Sequence, residues 1–541
     1  MAQEHLDRLT ATDASFLAQE GDNSHMHVGA ILIFEGPPPA IGDFLDQIRS
    51  RLHLVPRYRQ KLAVPPAEMG RPLWVDDPSF NLDYHVRHTA LPAPGSEEQL
   101  TRLACRIFSQ QLDRSKPLWE TWLVERLEGT RFALISKTHH ALVDGVAGVD
   151  LATVLFDAER APRAVDHPTG AEWQPRPEPG SALLAATGVK AVVKAGVELA
   201  TRTVTAATRP ETTVRRAQEA VEGVGEIVWA ALNPAPDTPL NVPIGPHRRF
   251  AQLRFQLEDF KEVKNAFGGT VNDVVLTVVA GALRCFLRAR GVRTEGLELR
   301  ALVPVSIRSE DQQGQLGNRL AAMRAPLPVY VGDPVARLAL VKESMDGLKE
   351  SKQAIGAEVL AGVNNLAPPT ILAQASRLNF STRLFNVIVT NVPGPQMPLY
   401  VLGRELLDLF PVGFLPENHA LFVAIMSYNG KVNFGLLADY DALPDVEDIA
   451  QGIRESLDEL LTAARRKASA ADSGLSDSGL VGNGAPVVPT GADSSSERQP
   501  DDGGEPDDRD VDQDEGPGDL MLAGEKGGQH AERDRKGRAD G

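Results

Sequence analysis

Cysteine is nearly absent, with two in 541 residues, Cys105 and Cys285. That excludes a disulfide-built fold, and a chain of this length needs no such support to bury a core. Both cysteines fall in stretches of helical periodicity, which reads them as buried, reduced thiols of a cytosolic protein. No cysteine–histidine cluster has zinc spacing, which argues against a structural zinc site. No charge-free stretch reaches transmembrane length. The N-terminus, Met1-Ala2-Gln3-Glu4-His5, lacks the basic region and apolar run of a signal peptide. There is no basic excess either. The formal net charge is -17, and residues 468–541 alone carry 18 acids against 7 bases, so most of the deficit lies in the tail. Nucleic acid is not an expected partner.

What is there reads as two bodies, an insertion and a tail. Residues 1–160 mix strands and helices: an apolar run at 27–34, helical spacing at 44–52, and a capping box at Ser96-Glu97-Glu98-Gln99. Two strands, 121–127 and 131–138, flank the turn Glu128-Gly129-Thr130. Residues 161–239 open as a Pro-rich linker, and 181–232 have helical composition. They are expected to form a surface helical insertion, with a membrane-lying helix as the other reading. Residues 240–467 form the second body. Its signals are a long apolar helix opened by Thr270-Val271-Asn272-Asp273, a strand over 299–307 ending Pro304-Val305-Ser306-Ile307-Arg308, and a strand over 384–390. A hairpin around Asn429-Gly430 and an amphipathic helix over 444–464 complete it. Residues 468–541 hold too few apolar residues to offset ordering entropy and are expected to be disordered.

The chemistry concentrates at His139-His140-Ala141-Leu142-Val143-Asp144-Gly145, where a strand gives way to a turn. Successive strand side chains point to opposite faces, so His139 and His140 should not share a task. A histidine is suited to take a proton from an attacking alcohol and return it to a leaving group, because its ordinary pKa lies near neutrality. No separate serine or cysteine nucleophile is then needed. Asp144 is better placed to fix the loop through an ion pair than to orient His140, since the two are joined through a turn at Gly145. Paired histidines can also be plain core residues, and a metal site from His139, His140 and Asp144 is disfavoured by their opposite facing.

With Pro117-Leu118-Trp119, Asn272-Asp273 and Asn391-Val392-Pro393-Gly394-Pro395, and with Asp13-Ala14-Ser15-Phe16-Leu17, Met26-His27-Val28-Gly29 and Pro304-Val305-Ser306, the histidine motif resembles the bacterial wax ester synthase/acyl-CoA:diacylglycerol acyltransferase family. The matching stretches span nearly all of residues 8–464. The resemblance implies an α/β (α+β) architecture of two chloramphenicol-acetyltransferase-like domains with a central tunnel. It implies His140 as general base, with His139 supporting it. The expected reaction is acyl-CoA-dependent esterification of diacylglycerol, and of long-chain alcohols, with acyl-CoA as co-substrate and no bound cofactor or metal.

Asn272 is a candidate donor to a carbonyl or oxyanion. Asp273 pairs with Thr270 as a cap. Trp119 and Ser306 are candidates for substrate contact, although Pro117-Leu118-Trp119 also reads as packing. Arg308 is the expected partner of Asp144, since related acyltransferases pair the motif aspartate with an arginine. The expected location is cytoplasmic and peripheral, on the inner membrane face or lipid inclusions. Two other readings stand beside this one. One is a condensation-type acyltransferase making another lipid ester from carrier-bound acyl groups. The other is a non-catalytic coat protein of lipid inclusions, against which the retained His140, Asp144 and Gly145 argue.

Overall fold

The first half supplies strands β1 (Asp7–Arg8), β2 (His27–Phe34), β3 (Gln60–Ala63), β4 (Leu73–Asp76), β5 (Val86–Ala90), β6 (Trp119–Glu125) and β7 (Phe132–His139). The second half supplies β8 (Arg248–Gln256), β9 (Leu299–Ser306), β10 (Leu320–Leu327), β11 (Val387–Pro393), β12 (Tyr400–Val401), β13 (Arg404–Val412), β14 (Leu421–Tyr428) and β15 (Lys431–Asp439). The computed structural model describes residues 7–66, 70–142, 155–161, 173–180, 182–184, 186, 233–306, 320–350 and 380–477. Asp144, Gly145, Arg308, nearly all of the expected insertion over 181–232 and the tail beyond Asp477 lie outside the described residues.

One six-stranded sheet has the order β12-β13-β2-β7-β6-β5, and a second has the order β10-β9-β11-β14-β15-β8. A three-stranded sheet, β1-β4-β3, accompanies the first. Every residue of β7 is buried. A strand covered on both faces reads as a near-continuous apolar run, and the sequence Phe-Ala-Leu-Ile shows it. The helix Glu97–Phe108 starts on the expected capping box. Its Leu100, Ala104 and Ile107 join Ile33 and Ile135 of the first sheet and Phe422 and Leu437 of the second in one apolar cluster. The two sheets therefore share a core.

The helix Val271–Ala289 buries its apolar faces in the second half. Paired with Leu257–Phe267, at 98°, it has the length and apolarity of a broken membrane span, yet that apolar surface is spent on the protein core. Among the described residues no single helix is long and apolar enough to cross a membrane. Cys285 lies on this helix but is exposed, contrary to the expectation of a buried thiol. It shares the outward side with Arg284 and Arg288, while Leu283 and Phe286 turn inward. Cys105 is half-buried, and burial pushes its thiol up to about 12.

Three other expectations shift. The strand expected over 384–390 runs on to Pro393, because β11 keeps its parallel pairing with β14 as far as Ser427. Pairing with β9 covers only Val387 and Ile388, so the missing N–H of Pro393 costs no ladder bond on that side. Residues 400–412, expected inside the second body, are built into the first sheet, where β13 pairs with β2. The helix Val446–Asp477 continues past Lys467, and Arg465 and Lys467 tie its outer turns to Glu262 and the Ala266 carbonyl. The hairpin at Asn429-Gly430 is as expected. Both residues have positive φ, 44° and 76°, the two-residue turn that matches strand twist.

Candidate active site

The register of β2 against β7 sets the site. His27 lies opposite His139, and Gly29 opposite Lys137. A side chain at Gly29 would place its Cβ 1.9 Å from the Ser136 carbonyl oxygen, so only glycine lets the two strands approach this closely. On the face shared by Lys137 and His139, Lys137 Nζ donates to the carbonyls of Ile107 (2.9 Å) and Gln110 (2.5 Å) and to Glu120 (3.1 Å). These contacts hold the end of β7 against the helix Glu97–Phe108.

The chain leaves β7 at His139 and turns at once. The His140 N–H donates to the Met26 carbonyl (2.8 Å), and the Leu142 N–H donates to the His139 carbonyl (2.9 Å). This throws the His140 ring to the side opposite His139. It stacks on Phe16 at 3.9 Å, 21° from parallel, and meets Phe414 edge-on at 5.6 Å. Nδ1 is buried and has no hydrogen-bond partner on another described residue, while the residue as a whole keeps some exposure. Burial drives the His140 pKa down to about 4. The neighbouring His139 adds to that shift, and a contact with the residue's own backbone opposes it. At neutral pH the ring is an uncharged base.

His139 is fully buried and serves a different environment. Its Nδ1 accepts the N–H of Ala141 at 3.0 Å. Its Nε2 lies 3.6 Å from the Glu20 carboxylate, and His27 Nε2 lies 3.4 Å from the other Glu20 oxygen. Arg114 Nε donates to Glu20 at 2.7 Å, and its Nη2 also pairs there. Burial alone would raise the Glu20 carboxyl. The Arg114 guanidinium and the neighbouring His139 and His27 rings outweigh it and hold the group far below the usual carboxylate range. Burial takes His27 down to about 3 in spite of Glu20.

Asn272 opens the helix Val271–Ala289, and its Oδ1 accepts from Asn391 Nδ2 at 3.3 Å. Asp273 turns back, accepting from the Thr270 N–H (2.7 Å) and hydroxyl (2.9 Å). Trp119 is 3% exposed. Its indole N–H donates to the Tyr58 carbonyl at 2.8 Å, and its ring stacks on His85 at 4.7 Å. These are packing contacts, in line with the reading favoured for Pro117-Leu118-Trp119. Ser306 is the last residue of β9 and pairs with Leu320 of β10. Glu20, Arg114 and Phe414 carried no signal in the sequence. Phe16 and His27 lie inside recognisable stretches but had no role attached to them.

The family model described as the wax ester synthase/diacylglycerol acyltransferase catalytic domain matches residues 9–275, and the C-terminal domain of the same family matches residues 316–461. The probable diacylglycerol O-acyltransferase tgs1 of Mycobacterium tuberculosis is 34% identical over 475 residues, covering 85% of this chain and 97% of the relative. The probable diacylglycerol O-acyltransferase tgs2 of the same organism is 33% identical over 464 residues, 84% and 99% of the two chains. Among solved structures, the wax ester synthase/diacylglycerol acyltransferase of Marinobacter aquaeolei VT8 aligns with a TM-score of 0.60 at 29% identity, over 84% of this chain and 99% of that one. The starter condensation domain of rhizomide synthetase shares the fold, with a TM-score of 0.53 at 14% identity, over 85% of this chain and 95% of that one. The two-sheet architecture thus has its counterpart in a known group of acyltransferases: the chain belongs to the wax ester synthase/diacylglycerol acyltransferase family.

Proposed function

We propose that the protein transfers a fatty acyl group from acyl-CoA to the free hydroxyl of diacylglycerol, and also to long-chain alcohols, with His140 as general base. The observation that carries this reading is the His140 ring, neutral, stacked on Phe16 and met at its edge by Phe414 at a strand end. With the ring proton on Nδ1, the Nε2 lone pair is free to accept a proton. The acceptor hydroxyl gives its proton to Nε2 as its oxygen attacks the thioester carbonyl. The tetrahedral intermediate collapses, the carbon–sulfur bond breaks, and the departing CoA thiolate takes the proton back. The products are the ester and free CoA, and His140 ends as it began. Asn272, oriented by Asn391, is the proposed donor to the oxyanion. Because diacylglycerol is insoluble, the enzyme is expected to work at a lipid–water interface, on the membrane face or lipid inclusions.

The test is turnover of labelled acyl-CoA with diacylglycerol or hexadecanol in detergent micelles. His140→Ala should lose about 10²–10⁴-fold in rate. Full turnover by a folded His140→Ala variant refutes the base assignment, and no ester from the unaltered protein with either acceptor refutes the activity.

A further inference from the structure

The Glu20–Arg114–His27–His139 cluster takes no part in the reaction just described, yet it is buried and charged directly behind the reacting histidine. The Glu20 side chain is 1% exposed. A carboxylate is costly to bury, so it has to be held by specific partners. Arg114 supplies the countercharge from a more exposed position. The histidines supply something else.

The ring of His139 has two nitrogens with incompatible duties. Nδ1 accepts the Ala141 N–H at 3.0 Å and therefore cannot carry a proton. In a neutral ring the proton must then sit on Nε2, the nitrogen that faces Glu20 at 3.6 Å. A carboxylate at that position favours this tautomer and disfavours the other, in which two lone pairs would face each other. The bond to Ala141 in turn closes the turn whose middle residue is His140. The path runs from the Glu20 carboxylate, through the tautomer of His139, to the main chain that carries the His140 ring.

We propose that Glu20 is a positioning residue for acyl transfer: it fixes the tautomer of His139, and so the turn geometry that places His140. The proposal rests on His140 being the base. It deepens that reading by naming a residue that touches neither substrate nor the reacting ring.

The obvious perturbation is Glu20→Gln in the full-length protein. Arg114 will hold the amide oxygen at the position that also faces His139 Nε2, so the variant keeps an acceptor there but loses the carboxylate's charge, which weakens the preference for the Nε2–H tautomer. The turnover rate should fall several-fold, up to about 10-fold, below the full cost of a misplaced catalytic group, with KM for acyl-CoA changed by less than about threefold. The discriminating measurement uses His139→Asn. Asparagine keeps an acceptor near the Nδ1 position but has nothing that reaches Glu20. In the His139→Asn background, Glu20→Gln should cause no further loss of turnover.

An equal loss from Glu20→Gln in both backgrounds shows that the carboxylate acts only through packing with Arg114, and overturns the proposal. Should Glu20→Gln not fold, His139→Gln replaces it. Glutamine reaches toward Glu20 but offers no acceptor at the Nδ1 position, so its turnover should fall below that of His139→Asn. The reverse order overturns the proposal. His140→Ala, measured alongside, separates the two failures. If it is inactive while Glu20→Gln is unaffected, only the present inference falls. If it is active, the base assignment falls first.

Discussion

Replacing Phe16 by alanine removes one wall of the slot that holds His140. The ring is 3.9 Å from Phe16 and nearly parallel to it, and Phe414 meets its edge. Burial, to which these rings contribute, together with the neighbouring His139, lowers the pKa of His140 from its ordinary 6.5 to about 4, which disfavours the imidazolium by about 3 kcal/mol. Phe16 is itself only half-buried, so its loss should return part of that shift, about one pKa unit or about 1.4 kcal/mol. The sign is not trivial, because an aromatic face also attracts a cation, by roughly 0.5–1 kcal/mol at a partly wet site. Desolvation is the larger effect, so the pKa should rise. A base works only when unprotonated, so kcat/KM should be flat above the pKa and fall as the pH drops through it. At pH 5 the unaltered enzyme should keep roughly nine-tenths of its base neutral. Phe16→Ala should bring the acid limb up toward pH 5, and Phe16→Leu, which keeps an apolar wall, should move it less. The assay is kcat/KM for labelled acyl-CoA between pH 4 and 8 at saturating acceptor. An acid limb that stays in place or moves down in Phe16→Ala refutes the argument.

Stability should also fall in acid. His27, His85 and His419 are all held below their ordinary pKa by burial. The unfolded chain then binds more protons than the folded one, and stability rises with pH up to about 6.5. For His27, folded near 3, the loss at pH 5 is about 2 kcal/mol, read as a lower Tm, and His27→Gln should flatten the slope. A Tm unchanged from pH 7 to 5 contradicts this. Gly29→Ala puts a Cβ against the backbone of β7, which has no room to give. Chemical denaturation should show a loss of about 3 kcal/mol or more, and a neutral result would mean that β2 and β7 can separate. Asp144→Asn and Arg308→Gln should each cost activity, and the double variant less than their sum, if the two form the expected buried pair. Additive losses would show that they do not meet.

What could be read directly from the sequence is local. The capping boxes at Ser96 and Thr270 and the Asn429-Gly430 turn depend on residues within four positions of one another, and the structure contains all three. The separation of His139 from His140 is expected from strand alternation, but β7 ends at His139, and it is the turn that carries His140 to different neighbours. What escaped the reading depends on register and on distant chain. Glu20 meets His139 only because β2 pairs with β7 so that His27 faces His139. Phe414 reaches His140 because β13, from the second half, adds to the edge of β2. That placement turns on sheet topology, and β13 has no period or turn signal that tells one sheet from another. Trp119 shows the opposite limit. The Pro-Leu-Trp motif is conspicuous as a string, yet its indole is spent on Tyr58 and His85. The motif histidine is therefore only half of the site. The sequence places a histidine at a strand end, whereas the contacts of His140 with Phe16 and Phe414, and of His139 with Glu20, come only with the fold.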